Sequence, residues 1–153
     1  MAFYKVTIER TAECPTAVVR EHTTVGEFPT LWPRLLDEVW AFLNDRPGLR
    51  TDGHNVMLYA AGDGPDELAV EVGVQVTGAF ESAGRVVPSV LPATEVATAL
   101  HSGKPADIGE AHVAVRAWCA ARGHRLSGLS WEIYGDPDPG TGHFDVEVYW
   151  QLA

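Results

Sequence analysis

The chain has 153 residues, 46% of them hydrophobic and 21% charged, the profile of one globular domain rather than a disordered tract. Its formal net charge of -10, with only 11 Lys plus Arg, argues against a phosphate-backbone partner and is compatible with cationic ligands. No apolar run approaches the roughly 20 residues of a membrane span, and "MAFYKVTIER" lacks the basic start and apolar block of a signal peptide, so the expectation is a cytoplasmic protein without a membrane partner.

"YKVTIE" (4–9) reads as an opening strand and "TAVVREH" (16–22) as the next. Cys14 and Cys119 are far apart and match no metal spacing, so both are expected as free thiols. "PTLWPRLLDEVWAFLNDRPG" then puts Leu31, Leu35, Leu36, Val39, Phe42 and Leu43 on one helical face, stopped by Pro47 and Gly48. "NVMLYAAGDGPDELAVEVGVQV" (55–76) is a hairpin, two alternating runs around a Gly/Pro/Asp turn. After the mixed connector "TGAFESAG" (77–84), "RVVPSVL" and "ATEVATALH" read as strands. "ADIGEAHVAVRAWCAARG" is the second helix, with Ile108, Ala111, Val115, Trp118 and Cys119 on one face and Gly123 at its C-terminal end. "SWEIYGDPDPGTGHFDVEVYWQL" (130–152) closes the chain as a second hairpin.

The two hairpins repeat. Tyr59 falls on Tyr134, the turn clusters follow at the same place, and Glu71 falls on Glu147. The expected fold is α+β: tandem strand-helix-strand-strand halves with pseudo-two-fold symmetry, one antiparallel sheet, and two main helices on one face. The whole of 1–153 forms one domain, with half one at about 1–76, the connector at 77–84 and half two at about 85–153.

Glu132 is the residue that needs explaining, a carboxylate between Trp131 and Ile133 in a run that otherwise reads as core. Strand alternation puts Ser130, Glu132 and Tyr134 on one face and Trp131 and Ile133 on the other. In the last strand Val146, Val148 and Trp150 alternate with Glu147, Tyr149 and Gln151. Sending the strongly apolar set to the helices leaves Glu132, Tyr134, Glu147 and Tyr149 on the opposite, open face. Met57 and Gly73 stand in the first half where the second has Glu132 and Tyr149. An acid, several aromatics and an adaptable Met make a cup for a flat cation. The candidate ligand contacts are Glu132, Tyr134, Tyr149, Tyr59, Met57, Trp118 and Glu147. Bland alternatives stand beside them: Glu132 facing solvent or paired with Arg85 or Arg125, the tyrosines as rim packing, Trp40 and Trp118 as core.

The second half resembles the GyrI-like small-molecule-binding domain, also found as the effector-binding domain of multidrug-responsive transcription regulators. The resemblance is carried by Pro92-Ala93 at a strand start, His101-x-Gly103 before the helix, Ala117-Trp118 within it, Gly123 at its end, Glu132-x-Tyr134 leading into Asp136-Pro137, and Glu147-x-Tyr149 in the last strand. It implies a central groove binding aromatic, often cationic compounds, with the family's acidic residue on Glu132 and a pocket tyrosine on Tyr149. One branch of the family hydrolyses cyclopropane-bearing alkylators. In such an enzyme Glu132 and Tyr149 are the catalytic pair, the acid activating or orienting water. The chain has no helix-turn-helix, the final "VYWQLA" lacks a proline common in the family, and the first half lacks a counterpart to His101-x-Gly103.

Other chemistry is thinly supported. His143, Asp145 and Glu147 alternate on one strand, but no spacing matches a metal loop, and no phosphate loop or nucleophile elbow is present, so neither metal nor cofactor is expected. His101, His112 and His124 read as surface or capping residues. The leading expectation is a stand-alone binder of hydrophobic, cationic small molecules, with the cyclopropane hydrolase and an inhibitory protein that docks on a larger partner as alternatives.

Overall fold

A computed structural model describes residues 3–153. Eight strands and two α-helices follow in the order β1 (Thr7–Arg10), β2 (Cys14–Thr24), α1 (Phe28–Asn44), β3 (Asn55–Ala61), β4 (Glu67–Gln75), β5 (Val86–Leu91), β6 (Glu95–His101), α2 (Ile108–Ala121), β7 (Leu126–Pro137) and β8 (Phe144–Leu152). The architecture is α+β, and the strands within each compact unit pair antiparallel. Among the described residues no helix is long and apolar enough to cross a membrane. Cys14 and Cys119 are both free.

The chain divides into two compact units, one of Ala12–Ala93 and one of Thr94–Ala153 together with the N-terminal strand as far as Thr11. β5 therefore sits in the same unit as β2, and β1 in the unit of β6. Within the first unit the strand order is β3-β4-β2-β5, and within the second it is β7-β8-β6-β1. Each order reads hairpin, then the strand before the helix, then one added strand.

In the unit of Ala12–Ala93, α1 buries Leu35, Val39, Phe42 and Leu43, four of the residues its apolar spacing selects. The helix packs on β2 and β4. Val72 lies opposite Val19 and Met57, and Val70 opposite Tyr59, so these side chains share one face of the sheet. The indole N–H of Trp40 in α1 donates to Asn55 Oδ1 at 2.9 Å on that same face. Gly73 meets a steric demand: a Cβ there would run into the carbonyl oxygen of Ala17 and the Cα of Val18 on β2. Arg85 bonds Glu21 and Glu38 at 3.0 and 2.6 Å, which accounts for one of the two arginines considered for Glu132.

In the other unit, α2 lays Ala111, Val115 and Cys119 against Ala97, Ala99 and Val148. Small residues on both surfaces let helix and sheet approach closely, and each fully buried valine contributes about 1.5–3 kcal/mol. The helix ends as its glycine predicts. Gly123 has φ 75°, His124 N–H bonds Cys119 C=O at 2.9 Å and Gly123 N–H bonds Ala120 C=O at 3.3 Å, a Schellman closure. Trp118 completes it, with the His124 ring stacked 5.6 Å away and the Arg122 guanidinium 4.4 Å from the ring centre. Asp138 Oδ1 accepts from Gly140 N–H at 2.7 Å and so closes the β7–β8 turn.

Candidate functional site

The register between β7 and β8 decides where Glu132 points. Glu132 lies opposite Val148, Ser130 opposite Trp150 and Tyr134 opposite Val146, while Trp131 faces Tyr149 and Ile133 faces Glu147. Directly opposed residues of an antiparallel pair project to the same side. Val148 belongs to the core under α2, so Glu132 and Tyr134 lie on the helix face. Glu147 and Tyr149 lie on the far face. The expectation that all four share an open face is corrected on this point. Its cause is that Ser130, Trp131 and Glu132 are all buried, so β7 is covered on both sides and its own apolar alternation carries no information about which side meets the helix.

Glu132 is only 3% exposed. A carboxylate at such depth costs several kcal/mol unless it is hydrogen-bonded, and it is. His112 Nε2 lies 2.6 Å from Oε2, and the Tyr134 hydroxyl donates to Oε1 at 2.6 Å. His112 comes from α2, at i+4 from Ile108 and i−3 from Val115, so the helical repeat that builds the core also aims this imidazole at the strand. Trp150, on β8 opposite Ser130, donates its indole N–H to His112 Nδ1 at 3.0 Å, with the two rings edge-on at 5.8 Å. The Arg116 guanidinium stands 5.5 Å from the Trp150 ring centre. Phe144 meets the Tyr134 ring edge-on at 5.7 Å. A carboxylate, an imidazole, a phenol, an indole and a phenyl ring thus converge within one unit.

The remaining candidates are placed elsewhere. Tyr149 stacks on Trp131 with ring centres 5.5 Å apart, and its hydroxyl donates to Glu147. Burial, then the Glu147 hydrogen bond and charge, then the charge of Glu9, hold the Tyr149 phenol well above its ordinary range. Glu132 and Tyr149 are therefore not brought together as an acid and hydroxyl pair. Tyr134 is the hydroxyl that reaches the acid. Trp118 closes the end of α2, as described above. Met57 and Tyr59 lie on the helix face of the other unit, where the Tyr59 hydroxyl points at Met57 Sδ at 3.6 Å and Phe28 meets the Tyr59 ring edge-on at 5.4 Å. His112 is the residue that sequence reasoning missed, and its place on the apolar stripe of α2 was the signal that could have found it.

On the far face of the sheet in the Ala12–Ala93 unit, a depression lined by Arg20, His22, Leu58, Ala60 and Glu71 is occupied by the Arg20–Glu71 ion pair at 2.9 Å. Among the described residues no group of three or more His, Cys, Asp or Glu side chains is arranged to hold a metal ion.

Solved structures share this fold. The C-terminal domain of EcmrR superposes with a TM-score of 0.80 at 19% identity, over 99% of either chain. SAV2435, solved bound to tetraphenylphosphonium, gives 0.72 at 13% identity over 97% of this chain and 94% of its own. A hydrolase encoded by lin2189 from Listeria innocua gives 0.66 at 10% identity over 97% and 92%. At these identities the likeness shows the fold alone. No curated protein sequence matches significantly. The family model described as the GyrI-like small molecule binding domain matches residues 4–153, and the chain belongs to that family.

Proposed function

We propose that this domain is a cytoplasmic binder of hydrophobic aromatic cations, and that the Glu132 carboxylate is the group that meets the positive charge. One observation carries the reading: Glu132 is buried on the helix face and held there by two hydrogen bonds at 2.6 Å, beside the rings of Tyr134, Trp150 and Phe144. A deep carboxylate favours a cation over a neutral molecule, and aromatic faces add about 0.5–2 kcal/mol each to a cation they contact. A fold relative has been solved with tetraphenylphosphonium, an aromatic cation, which makes that compound the natural first probe.

The test pairs tetraphenylphosphonium with neutral triphenylphosphine oxide. Glu132→Gln keeps the size of the side chain and removes its charge. The cation is expected to lose at least about tenfold in affinity, since a buried charge pair is worth 2 kcal/mol or more, with the neutral probe changing by less than about threefold. Equal losses on both probes would remove the charge from the account.

A second reading, hydrolysis of a cyclopropane-bearing alkylator, is favoured by one feature. The acid has an imidazole and a phenol hydroxyl within hydrogen-bond distance, a set able to orient water. Here Glu132 acts with Tyr134. Mass spectrometry of such an alkylator after incubation with the protein decides it: a ring-opened, hydrated product that disappears in Glu132→Gln supports hydrolysis, and unreacted compound refutes it.

A further inference from the structure

β1 is the last strand of its unit. Among the described residues it pairs with β6 alone, so one row of its backbone N–H and C=O groups faces outward. The run that leads into it is held in place. The Tyr4 hydroxyl lies 2.8 Å from His101 Nδ1, Tyr4 and Val6 pack against the core under α2, and Thr7–Arg10 make four register pairs with β6.

An open edge invites pairing with another chain unless charge blocks it. The charges here are Lys5, Glu9 and Arg10, all exposed, and none of the three is ion-paired among the described residues. Their order matters. "KVTIE" (5–9) reads base, apolar, Thr, apolar, acid, so the stretch is its own complement when reversed. Ile8 lies opposite Ala97, which belongs to the core under α2. Alternation therefore puts Val6 and Ile8 on the helix face, and Lys5, Thr7 and Glu9 on the far face. Ile8 is 37% exposed.

We propose that β1 is a homodimer edge: two copies pair β1 with β1, antiparallel, about a two-fold axis through Thr7. In that register Lys5 lies opposite the partner's Glu9, Glu9 opposite the partner's Lys5, and Ile8 opposite the partner's Val6 on the helix face. Two unpaired charges and an exposed isoleucine gain partners in one self-complementary contact. Other registers lose this. Centring the pair on Glu9 sets the two glutamates against each other. Centring it between Thr7 and Ile8 sets Lys5 against the partner's Arg10, and joins the helix face of one copy to the far face of the other. A second copy in one register is thus the occupant that the strand's own charge order selects. A single short strand pair stands at the low end of specific interfaces, so the dimer is reversible, with a dissociation constant of about 10–100 μM.

Sedimentation equilibrium of the full chain from about 5 to 500 μM tests it. Wild type passes from monomer to dimer and stops there, because the two-fold contact uses up the edge. Lys5→Glu and Glu9→Lys each set like charges against each other at both crossings, and each weakens self-association by at least about tenfold. Mixed in equal amounts, the two variants complement each other at both crossings and associate about as tightly as wild type. The double variant Lys5→Glu with Glu9→Lys does the same alone. Recovery in the mixture also separates a lost contact from a lost fold. A wild type that stays monomeric to the highest concentration would overturn the proposal. So would single variants that dimerise as tightly as wild type, or a mixture no more associated than its two components.

Discussion

The hairpins β3–β4 and β7–β8 are two solutions of one geometric problem. Each sends a residue and the tyrosine two places after it to the helix face of its own unit, Met57 with Tyr59 and Glu132 with Tyr134. In each the tyrosine hydroxyl turns back on its neighbour, at 3.6 Å to a thioether and 2.6 Å to a carboxylate. In each a tryptophan donates its N–H on that face, Trp40 to the amide of Asn55 and Trp150 to the imidazole of His112. The backbone is thus reused, and what differs is the charge. One unit surrounds its polar atom with donors able to hold an anion. The other spends the same position on a soft apolar side chain and its tryptophan on an amide. A fold can place a polar side chain at depth, but the donors around it decide whether the charge is tolerated there.

The strongest way to break the comparison is to move the charge. Met57→Glu puts a carboxylate where Met57 is 4% exposed, with the Tyr59 hydroxyl at hand and the Trp40 N–H already committed to Asn55. Urea unfolding should show a loss of about 3 kcal/mol with an unchanged m-value, the cost of an under-solvated buried charge. A loss below about 1 kcal/mol would mean that both units can hold an anion and that the contrast between them is not one of charge.

A second contrast concerns Gly73 and Tyr149, which match in the repeat. Gly73 lies between Val18 and Val56, and Tyr149 between Thr98 and Trp131. Sequence comparison made this pair look like an asymmetry of a binding groove. The structure supplies a steric cause, because β2 passes too close for any Cβ at Gly73. Gly73→Ala should cost about 2–3 kcal/mol in chemical unfolding, the range for a core position that must push its neighbours apart. A neutral result would mean that β2 yields to a Cβ and that the steric account of this glycine is wrong.

Much of the fold was legible because its signals are local. The apolar face of α1, the glycine after α2 and the two turn clusters each depend on residues a few places apart. The strand order is the same in both units, but β1 joins the unit of the second hairpin and β5 that of the first, which no local signal encodes. The site was legible in part. Glu132 stood out as a carboxylate in an apolar run, and its neighbour Tyr134 with it. The face it occupies did not, because facing depends on a β7–β8 register that no single strand encodes, and β7 is buried on both sides at Ser130, Trp131 and Glu132. His112 was overlooked for the opposite reason. Its spacing from Ile108 and Val115 puts it on the core stripe of α2, where a lone histidine has no motif to mark it.

The smallest expected effect sharpens the comparison on the far face of the β7–β8 hairpin. Tyr149 stacks on Trp131 and gives its hydroxyl to Glu147. Burial first, then the bond to and charge of Glu147 and the charge of Glu9, raise its phenol above the ordinary value of 10.0. The folded protein therefore keeps this proton after the unfolded chain has lost it. Stability from this source is complete below pH 10.0 and falls as pH rises beyond it, since the unfolded state then binds fewer protons than the native state. Tyr149→Phe keeps the ring on Trp131 and removes the titrating group. At neutral pH it should cost about 0.5–1 kcal/mol, one partly exposed hydrogen bond. Above pH 10.0 the gap to wild type should narrow, because wild type alone carries this alkaline penalty. Thermal melts of both proteins on the two sides of that pH measure it. A gap that stays constant or widens would mean that the Tyr149 hydroxyl is not held protonated by its surroundings.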